Sequence, residues 1–169
     1  AVHLTLEHKF AEAQALLERA IQAEPTSAKY HRNLSALFER MKKFDEALAS
    51  ARTAEKLAPN DPMVLDQLCL LELIARNNAV AVGCFERLKS IEPLDLMSQA
   101  HYGLALFRTG REKESIATLE QVARSTPANA EAMHVLGVVY YQCKRFDDAA
   151  EALKTAVEIA PERLEIRFN

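Results

Sequence analysis

The chain has 169 residues, of which 49% are hydrophobic and 27% are charged, and this balance is typical of a folded protein rather than a disordered one. Its formal net charge of −3 is too small to indicate nucleic acid or an anionic membrane surface as a partner. No apolar run reaches the roughly 18 residues that a membrane-spanning helix requires, so we expect no direct membrane insertion.

The spacing of the prolines indicates an internal repeat. Five of the six prolines recur at intervals of 34 residues, at Pro25, Pro59, Pro93, Pro127 and Pro161. A period of this length is typical of stacked units that each contain two helices. In the most regular unit, helical spacing of apolar and small residues marks a first helix and then a second, at Met133, Leu136, Gly137 and Tyr140 and then at Phe146, Ala149, Leu153 and Ala156.

In chain order, residues 1–27 are predicted to form a partial repeat, the end of a first helix followed by a second helix, with a turn at His8-Lys9. Residues 164–169 are predicted to start a further first helix. We expect one continuous solenoid domain that is a fragment of a longer array, since each cut would leave an apolar helix face without its neighbour. Four complete repeats lie between the two partial ones, at 28–61, 62–95, 96–129 and 130–163.

Capping and turn residues support these boundaries. A residue with a short polar side chain precedes each first helix and can accept hydrogen bonds from its free amides, at Ser27, Asp61, Asp95 and Asn129. Polar, mostly basic pairs mark the turn inside each complete repeat, at Lys42-Lys43, Arg76-Asn77, Gly110-Arg111 and Lys144-Arg145. Acidic residues follow most of these turns, so we interpret the charges as complementing helix dipoles. A basic ridge for an acidic partner is the alternative interpretation.

The three cysteines, Cys69, Cys84 and Cys143, are odd in number and include no C-x-x-C pair. The pattern therefore suggests neither a disulfide framework nor a zinc site. We expect three buried or half-buried thiols, which favours a reducing compartment.

The pattern of Met133, Leu136-Gly137, Tyr140, Ala149, Leu153, Ala156 and Pro161 resembles the tetratricopeptide repeat (TPR), with Met133 where the family usually has tryptophan. The resemblance recurs in register along essentially the whole chain. It implies an all-α fold, a right-handed α-solenoid of antiparallel helix pairs with a 34-residue period, whose first helices line a concave groove. Repeats of this family typically bind peptide segments or helices of other proteins. Glu72 stands where Tyr140 does, so we expect its unit to pack less fully.

The groove implied by the resemblance should be lined by the stripe of each first helix that does not face the second helix. The predicted groove is polar and partly basic in the first complete repeat and becomes apolar in the later repeats. Exposed apolar surface of this kind often marks an interaction site. An alternative is that curvature of the superhelix closes the groove and buries these residues. The predicted lining residues are Arg32, Asn33, Asp66, Gln67, Leu70, Leu73, His101, Leu104, Phe107, His134, Val138 and Tyr141.

Two groove types known in the family fit this stripe poorly. A clamp for a C-terminal carboxylate needs Lys, Arg and Asn residues on three first helices, and Ala36 stands where an Asn is needed. A ladder of amides that grips peptide backbone is matched only in part, because Val135 interrupts the row of Asn33, Gln67 and His101.

No catalytic motif is present, because the sequence contains no H-E-x-x-H, no glycine-rich phosphate loop and no nucleophile elbow. His101 and His134 share a face, but no nearby Cys, Asp or Glu completes a metal or acid–base site. We therefore expect no enzyme activity from this chain by itself, no cofactor and no metal.

The leading functional hypothesis is a cytoplasmic protein-interaction module that binds a peptide or helix of a partner in its groove. A second hypothesis is a TPR targeting arm of a larger enzyme, such as a glycosyltransferase. A third is a self-associating scaffold, in which residues 1–24 of one molecule stack end to end on residues 162–169 of another.

Overall fold

The computed structural model describes the backbone of residues 2–125 and 130–161, and the side chains of residues 9–124 and 130–161. Within these ranges no strand occurs, and the chain forms nine α-helices joined by short turns. The helices are α1 (Val2–Ala23), α2 (Ala28–Arg40), α3 (Phe44–Leu57), α4 (Pro62–Ile74), α5 (Asn78–Ile91), α6 (Leu96–Arg108), α7 (Glu112–Ser125), α8 (Ala130–Gln142) and α9 (Phe146–Ile159).

The helices belong to two compact units, unit 1 (Ala1–Glu92) and unit 2 (Pro93–Asn169). In unit 1, α2 pairs with α3 and α4 with α5, while α3 also packs on α4. In unit 2, α6 pairs with α7 and α8 with α9, while α7 also packs on α8. The first helices of neighbouring pairs contact each other as well, α2 with α4 and α6 with α8. Each pair falls within one predicted complete repeat, and the predicted all-α class is confirmed.

The predicted turn at His8-Lys9 is wrong, since α1 continues without a break from Val2 to Ala23. In the complete repeats the equivalent position has a positive φ angle, which costs a residue other than glycine roughly 1–2 kcal/mol. Close packing of the two helices offsets that cost. A helix that continues through His8 avoids this strain. The further helix expected at 164–169 lies outside the described residues.

Two of the predicted N-caps form side-chain hydrogen bonds. The Asp61 carboxylate accepts from the amides of Met63 at 2.9 Å and Val64 at 3.3 Å, and Asp95 accepts from the Ser98 amide at 2.7 Å. Ser27 occupies the N-cap of α2 without such a bond, and Asn129 lies outside the described residues. The sharp starts of α4 and α6 therefore follow from an aspartate at each boundary.

Every turn inside a complete repeat places one residue in the left-handed region. The φ angles are 59° at Lys42, 60° at Arg76, 81° at Gly110 and 61° at Lys144. The predicted turns are confirmed, and they share one backbone geometry although only Gly110 has the residue type that adopts it freely.

Glycine on two first helices allows unusually close packing inside a pair. A Cβ built at Gly103 would lie 2.6 Å from Leu119 Cγ, and one built at Gly137 would lie 2.6 Å from Leu153 Cγ. These distances are far below van der Waals contact. The leucine of each second helix therefore fills the space that the glycine leaves, as the TPR pattern implies.

We predict that Gly137→Ala lowers the free energy of unfolding by about 1–2 kcal/mol, because overpacking against Leu153 outweighs the better helix propensity of alanine. Gly83→Ala is the matched control, since a Cβ at Gly83 meets no atom within 4 Å, and it should stabilise by up to about 1 kcal/mol. Urea unfolding monitored by circular dichroism measures both. Equal effects of the two substitutions would contradict the close-packing argument.

Candidate functional site

The polar part of the predicted groove in unit 1 is held in place by hydrogen bonds between side chains. Arg32 Nη2 donates to Asn33 Oδ1 at 3.2 Å, and Arg32 Nη1 lies 2.9 Å from the sulfur of Met63. Gln67 Nε2 on α4 donates to Glu39 Oε2 on α2 at 2.6 Å. The structure thus brings Arg32, Asn33 and Gln67 onto one face shared by α2 and α4. The side chains of all three are half-buried and already oriented.

The remaining predicted residues of unit 1 differ in exposure. Asp66 is exposed and Leu70 is half-buried, so both present surface. Leu73 is only 3% exposed, so it belongs to the interior and offers no surface to a partner. Helical spacing alone could not distinguish exposed from buried residues on α4, because this helix is apolar on nearly all sides.

In unit 2, the predicted residues of α6 and α8 form a largely apolar face. His101, Leu104 and Phe107 on α6 are half-buried, and the two apolar side chains pack against the core of the unit. On α8, Val138 is half-buried and Tyr141 is exposed. Because α6 and α8 are neighbours, these side chains lie on adjacent helices of one surface.

An exposed aromatic pair stands at one end of this face. Tyr141 is 60% exposed and Phe146 is 58% exposed, and their rings meet edge to face with centroids 5.6 Å apart. Phe146 is absent from the predicted site because the TPR pattern assigns its position to packing within the pair. Its proximity to Tyr141 across the short turn between α8 and α9 was the only available signal. Two large rings are thus left open to water, and exposed apolar surface of this kind often marks an interaction site.

His134 adds an unsatisfied polar atom to the same helix. Its Nε2 atom is buried, and no hydrogen-bond partner for it exists among the described residues. A buried polar atom without a partner is costly.

A buried carboxylate stands where Tyr140 stands in the last repeat. Glu72 on α4 is 2% exposed and accepts from Arg52 Nε at 2.9 Å, from Arg52 Nη2 at 3.1 Å and from Asn77 Nδ2 at 2.7 Å. The hydrogen bond to Glu72 raises the pKa of Arg52 above its usual value. A fork of hydrogen bonds therefore satisfies the buried carboxylate of Glu72.

Unit 2 forms the equivalent contact with other residue types. The Tyr140 hydroxyl donates to Glu120 Oε1 at 2.7 Å, and these residues stand two repeats after Glu72 and Arg52. Burial, reinforced by the hydrogen bond to Glu120, raises the pKa of Tyr140 to about 12. Arg145 covers the tyrosine ring, with its guanidinium carbon 4.2 Å from the ring centroid. Both units thus have a hydrogen-bonded contact between neighbouring helix pairs at this position. The contact is an arginine–carboxylate ion pair in unit 1 and a tyrosine–carboxylate hydrogen bond in unit 2.

The structure joins Cys69 and Cys84 in a disulfide between α4 and α5, with Cα atoms 5.3 Å apart. The prediction of three thiols is therefore wrong for these two residues. Sequence counting missed the pair because 15 residues separate the cysteines, and only the antiparallel packing of the two helices brings them together. Cys143 is a free, half-buried cysteine, and burial raises the pKa of its thiol.

Within the described ranges, no group of three or more His, Cys, Asp or Glu side chains could hold a metal ion. In the same part of the chain no helix combines the length and apolar character needed to cross a bilayer.

The helix pairs and their repeated contacts define the class of the protein, an all-α solenoid repeat protein. Two family models described as tetratricopeptide repeat match the chain, one over residues 4–66 and the other over residues 103–163. Together they cover more than half of its length. The chain belongs to the tetratricopeptide repeat family.

Solved structures of similar fold include YrrB, described as a TPR protein with an unusual peptide-binding site. YrrB has a TM-score of 0.76 and 18% identity over 96% of this chain and 84% of its own. A thermophilic TPR protein from Thermus thermophilus, TTC0263, has a TM-score of 0.74 and 20% identity over 98% and 91%. Residues 41 to the end of MamA from Desulfovibrio magneticus RS-1 give a TM-score of 0.67 and 27% identity over 82% and 78%.

A relative by sequence is the phagocyte signaling-impaired protein of Drosophila pseudoobscura pseudoobscura, which is 33% identical over 85 residues. The match covers 50% of this chain but only 9% of that protein. The chain therefore corresponds to a small part of this much longer relative.

Proposed function

We propose that the chain is a protein-interaction module that holds a segment of a partner protein on the exposed face of its first helices, extended in unit 2 by Phe146 at the start of α9. The observation that carries the proposal is the exposed pair of Tyr141 and Phe146, beside half-buried Leu104, Phe107 and Val138. Aromatic side chains of this kind commonly supply much of the binding energy of an interface. The module has no catalytic role of its own in this proposal.

The chemistry of the face indicates what the partner segment should carry. The aromatic pair fits an apolar or aromatic anchor side chain. Lys144 is exposed in the turn between Tyr141 and Phe146, so a carboxylate next to the anchor would be complementary in charge. Half-buried His101 can hydrogen-bond the backbone of the segment.

In unit 1, the oriented polar side chains of Arg32, Asn33 and Gln67, together with exposed Asp66, are proposed to bind backbone and charged groups of a segment. Half-buried Leu70 adds an apolar contact. Membership of the TPR family supports this use of first helices, and similar YrrB is described as having a peptide-binding site.

The length of the Drosophila relative favours a second candidate, an interaction arm within a longer protein, because the match covers 9% of that relative. A catalytic domain in the polypeptide that carries these repeats, such as a glycosyltransferase, would support an enzyme's targeting arm. The interaction surface itself is the same in both candidates.

A displayed library of random peptides, selected on the folded chain, tests the proposed surface of unit 2. We expect enrichment of peptides with an aromatic or aliphatic residue beside an acidic one. Their affinity, measured by fluorescence anisotropy, should fall at least about tenfold in Tyr141→Ser/Phe146→Ser, since loss of an aromatic anchor costs more than about 1.4 kcal/mol.

Leu16→Ser is the matched control, because Leu16 is 64% exposed but lies on α1 in unit 1. It should leave the affinity unchanged. Equal affinities of the double variant and the unsubstituted chain would overturn the proposal, as would a failure to enrich any peptide.

A further inference from the structure

We propose that Cys84 is a site of reversible thiol–disulfide exchange with an anionic low-molecular-weight thiol of the glutathione type. The thiol would reach Cys84 through a cleft of about 430 Å³ in unit 1, which we name the α3/α5 cleft. Its lining includes Arg52, Lys56, Glu72, Gly83, Cys84 and Arg87. This inference is independent of the proposed binding surface on the first helices.

Only one residue of the disulfide lines the cleft. Cys84 is 8% exposed and is part of the cleft lining, whereas Cys69 has no exposed surface. A thiol in the cleft can therefore approach Cys84, while the same route to Cys69 is closed. Access is a principal determinant of which sulfur is attacked.

The charges of the cleft suit an anionic thiol. Its two carboxylates are already bound by guanidinium groups, Glu72 by Arg52 at 2.9 Å and Glu55 by Arg87 at 2.7 Å. Lys56 then leaves the lining with an excess of positive charge. Positive charge raises the local concentration of an anionic ligand and stabilises the thiolate of a reduced cysteine.

The cleft also has room for such a molecule. Its volume lies within the range of about 300–1,000 Å³ that is usual for small-molecule sites. Gly83 precedes Cys84, and a Cβ added there would meet no atom within 4 Å. A glycine at this position therefore leaves open space in the cleft lining.

The exchange balances in two steps. The thiolate of reduced Cys84 attacks one sulfur of oxidised glutathione, an S–S bond forms at Cys84, and one glutathione leaves as thiolate. The Cys69 thiol then loses its proton to solvent and attacks the Cys84 sulfur, so that the Cys69–Cys84 bond forms and a second glutathione thiolate leaves. In the reverse direction a glutathione thiolate attacks Cys84, and the released Cys69 thiolate takes up a proton. A second glutathione thiolate then attacks the glutathione sulfur of the mixed disulfide, which releases oxidised glutathione and the Cys84 thiolate.

The first experiment locates the mixed disulfide in the full chain. The reduced protein is mixed with oxidised glutathione, alkylated, and analysed by intact-mass measurement and peptide mapping. In Cys69→Ser we expect one stable glutathionyl group at Cys84, because the resolving thiol is missing. Ser35 occupies the equivalent position of another repeat and is fully buried, so serine should be tolerated.

Two controls accompany this experiment. Cys84→Ser should acquire no glutathionyl group at Cys69. Cys143→Ser should form the internal disulfide as fast as the unsubstituted chain. Glutathionylation of Cys69 in Cys84→Ser, or an absence of the adduct from Cys69→Ser that retains its helical circular dichroism, would overturn the proposal.

The second experiment tests the route and its charge. Gly83→Leu should obstruct the cleft and slow the reaction at Cys84 at least about tenfold with both oxidised glutathione and the uncharged disulfide of 2-mercaptoethanol. Lys56→Glu should slow only the reaction with oxidised glutathione, by about three- to fivefold. Equal slowing of both reagents by Lys56→Glu, or no slowing by Gly83→Leu, would contradict the proposed approach.

Discussion

Replacement of Arg52 by alanine is expected to lower the free energy of unfolding by about 2–3 kcal/mol. Removal of one partner from a buried ion pair usually costs about 3–5 kcal/mol, and the exposure of Arg52, whose side chain is 52% accessible, reduces that figure. Glu72 would keep only its hydrogen bond from Asn77 while its side chain remains 3% accessible. Urea unfolding followed by circular dichroism measures the loss.

Arg111→Ala provides a matched control for this substitution. Arg111 also holds a carboxylate with two nitrogens, at 2.8 Å and 2.7 Å, but its partner Glu114 is 57% exposed. Water can replace the arginine there, so the expected loss is much smaller than for Arg52→Ala. Similar losses in both variants would show that burial of Glu72 is not the cause.

The contact between Tyr140 and Glu120 in unit 2 suggests a pair of substitutions in unit 1, of which the second should restore the stability that the first removes. Arg52→Glu alone should be more destabilising than Arg52→Ala, because it places a second carboxylate beside Glu72. Adding Glu72→Tyr recreates the tyrosine–carboxylate contact of Tyr140 and Glu120. A double-mutant cycle should then give a favourable coupling energy within the usual range of about 0.5–3 kcal/mol.

The repeat architecture could be predicted from the sequence because the same residue pattern recurs in every complete repeat. Proline spacing indicated the period, and short polar residues marked helix starts, which Asp61 and Asp95 confirm by capping. The exception was α1, where a pattern inherited from complete repeats predicted a turn at His8. The residue pattern at His8 permits a turn but does not require one, and the helix continues through this position.

Contacts between different helices were harder to predict. Glu72 and Arg52 are 20 residues apart and belong to neighbouring pairs, so an acidic residue in an apolar position looked like a packing defect. The Cys69–Cys84 bond was missed for a related reason. In both cases the residue types indicate a contact only when the two helices are known to lie close together.

The helical stripe predicted where each candidate residue lies on its helix, but it did not predict how exposed its side chain is. Tyr141 and Leu73 stand at equivalent stripe positions two repeats apart, yet Tyr141 is 60% exposed and Leu73 is 3% exposed. Exposure depends on neighbouring helices, and these differ between repeats of one family. For the same reason Phe146 emerged as a surface residue only from its accessible area.

Reduction of the Cys69–Cys84 bond should lower the melting temperature of unit 1 by about 6–12 °C. A cross-link that closes a loop of this size stabilises by roughly 3 kcal/mol through the unfolded state, and 1 kcal/mol corresponds to about 2–4 °C in a protein of this length. Calorimetry with and without dithiothreitol gives the shift. Cys143→Ser should show the same shift, whereas Cys69→Ser should show none.

Hydrogen exchange locates the effect of reduction within the chain. In a repeat protein, stability is set by each helix pair and its contacts with the next. Reduction should therefore speed amide exchange most in α4 and α5, which the disulfide joins, and least in α8 and α9 of unit 2. Uniform acceleration along the chain would mean that the bond stabilises the whole array as one cooperative element, and an unchanged exchange pattern would mean that packing of α4 on α5 holds the pair without it.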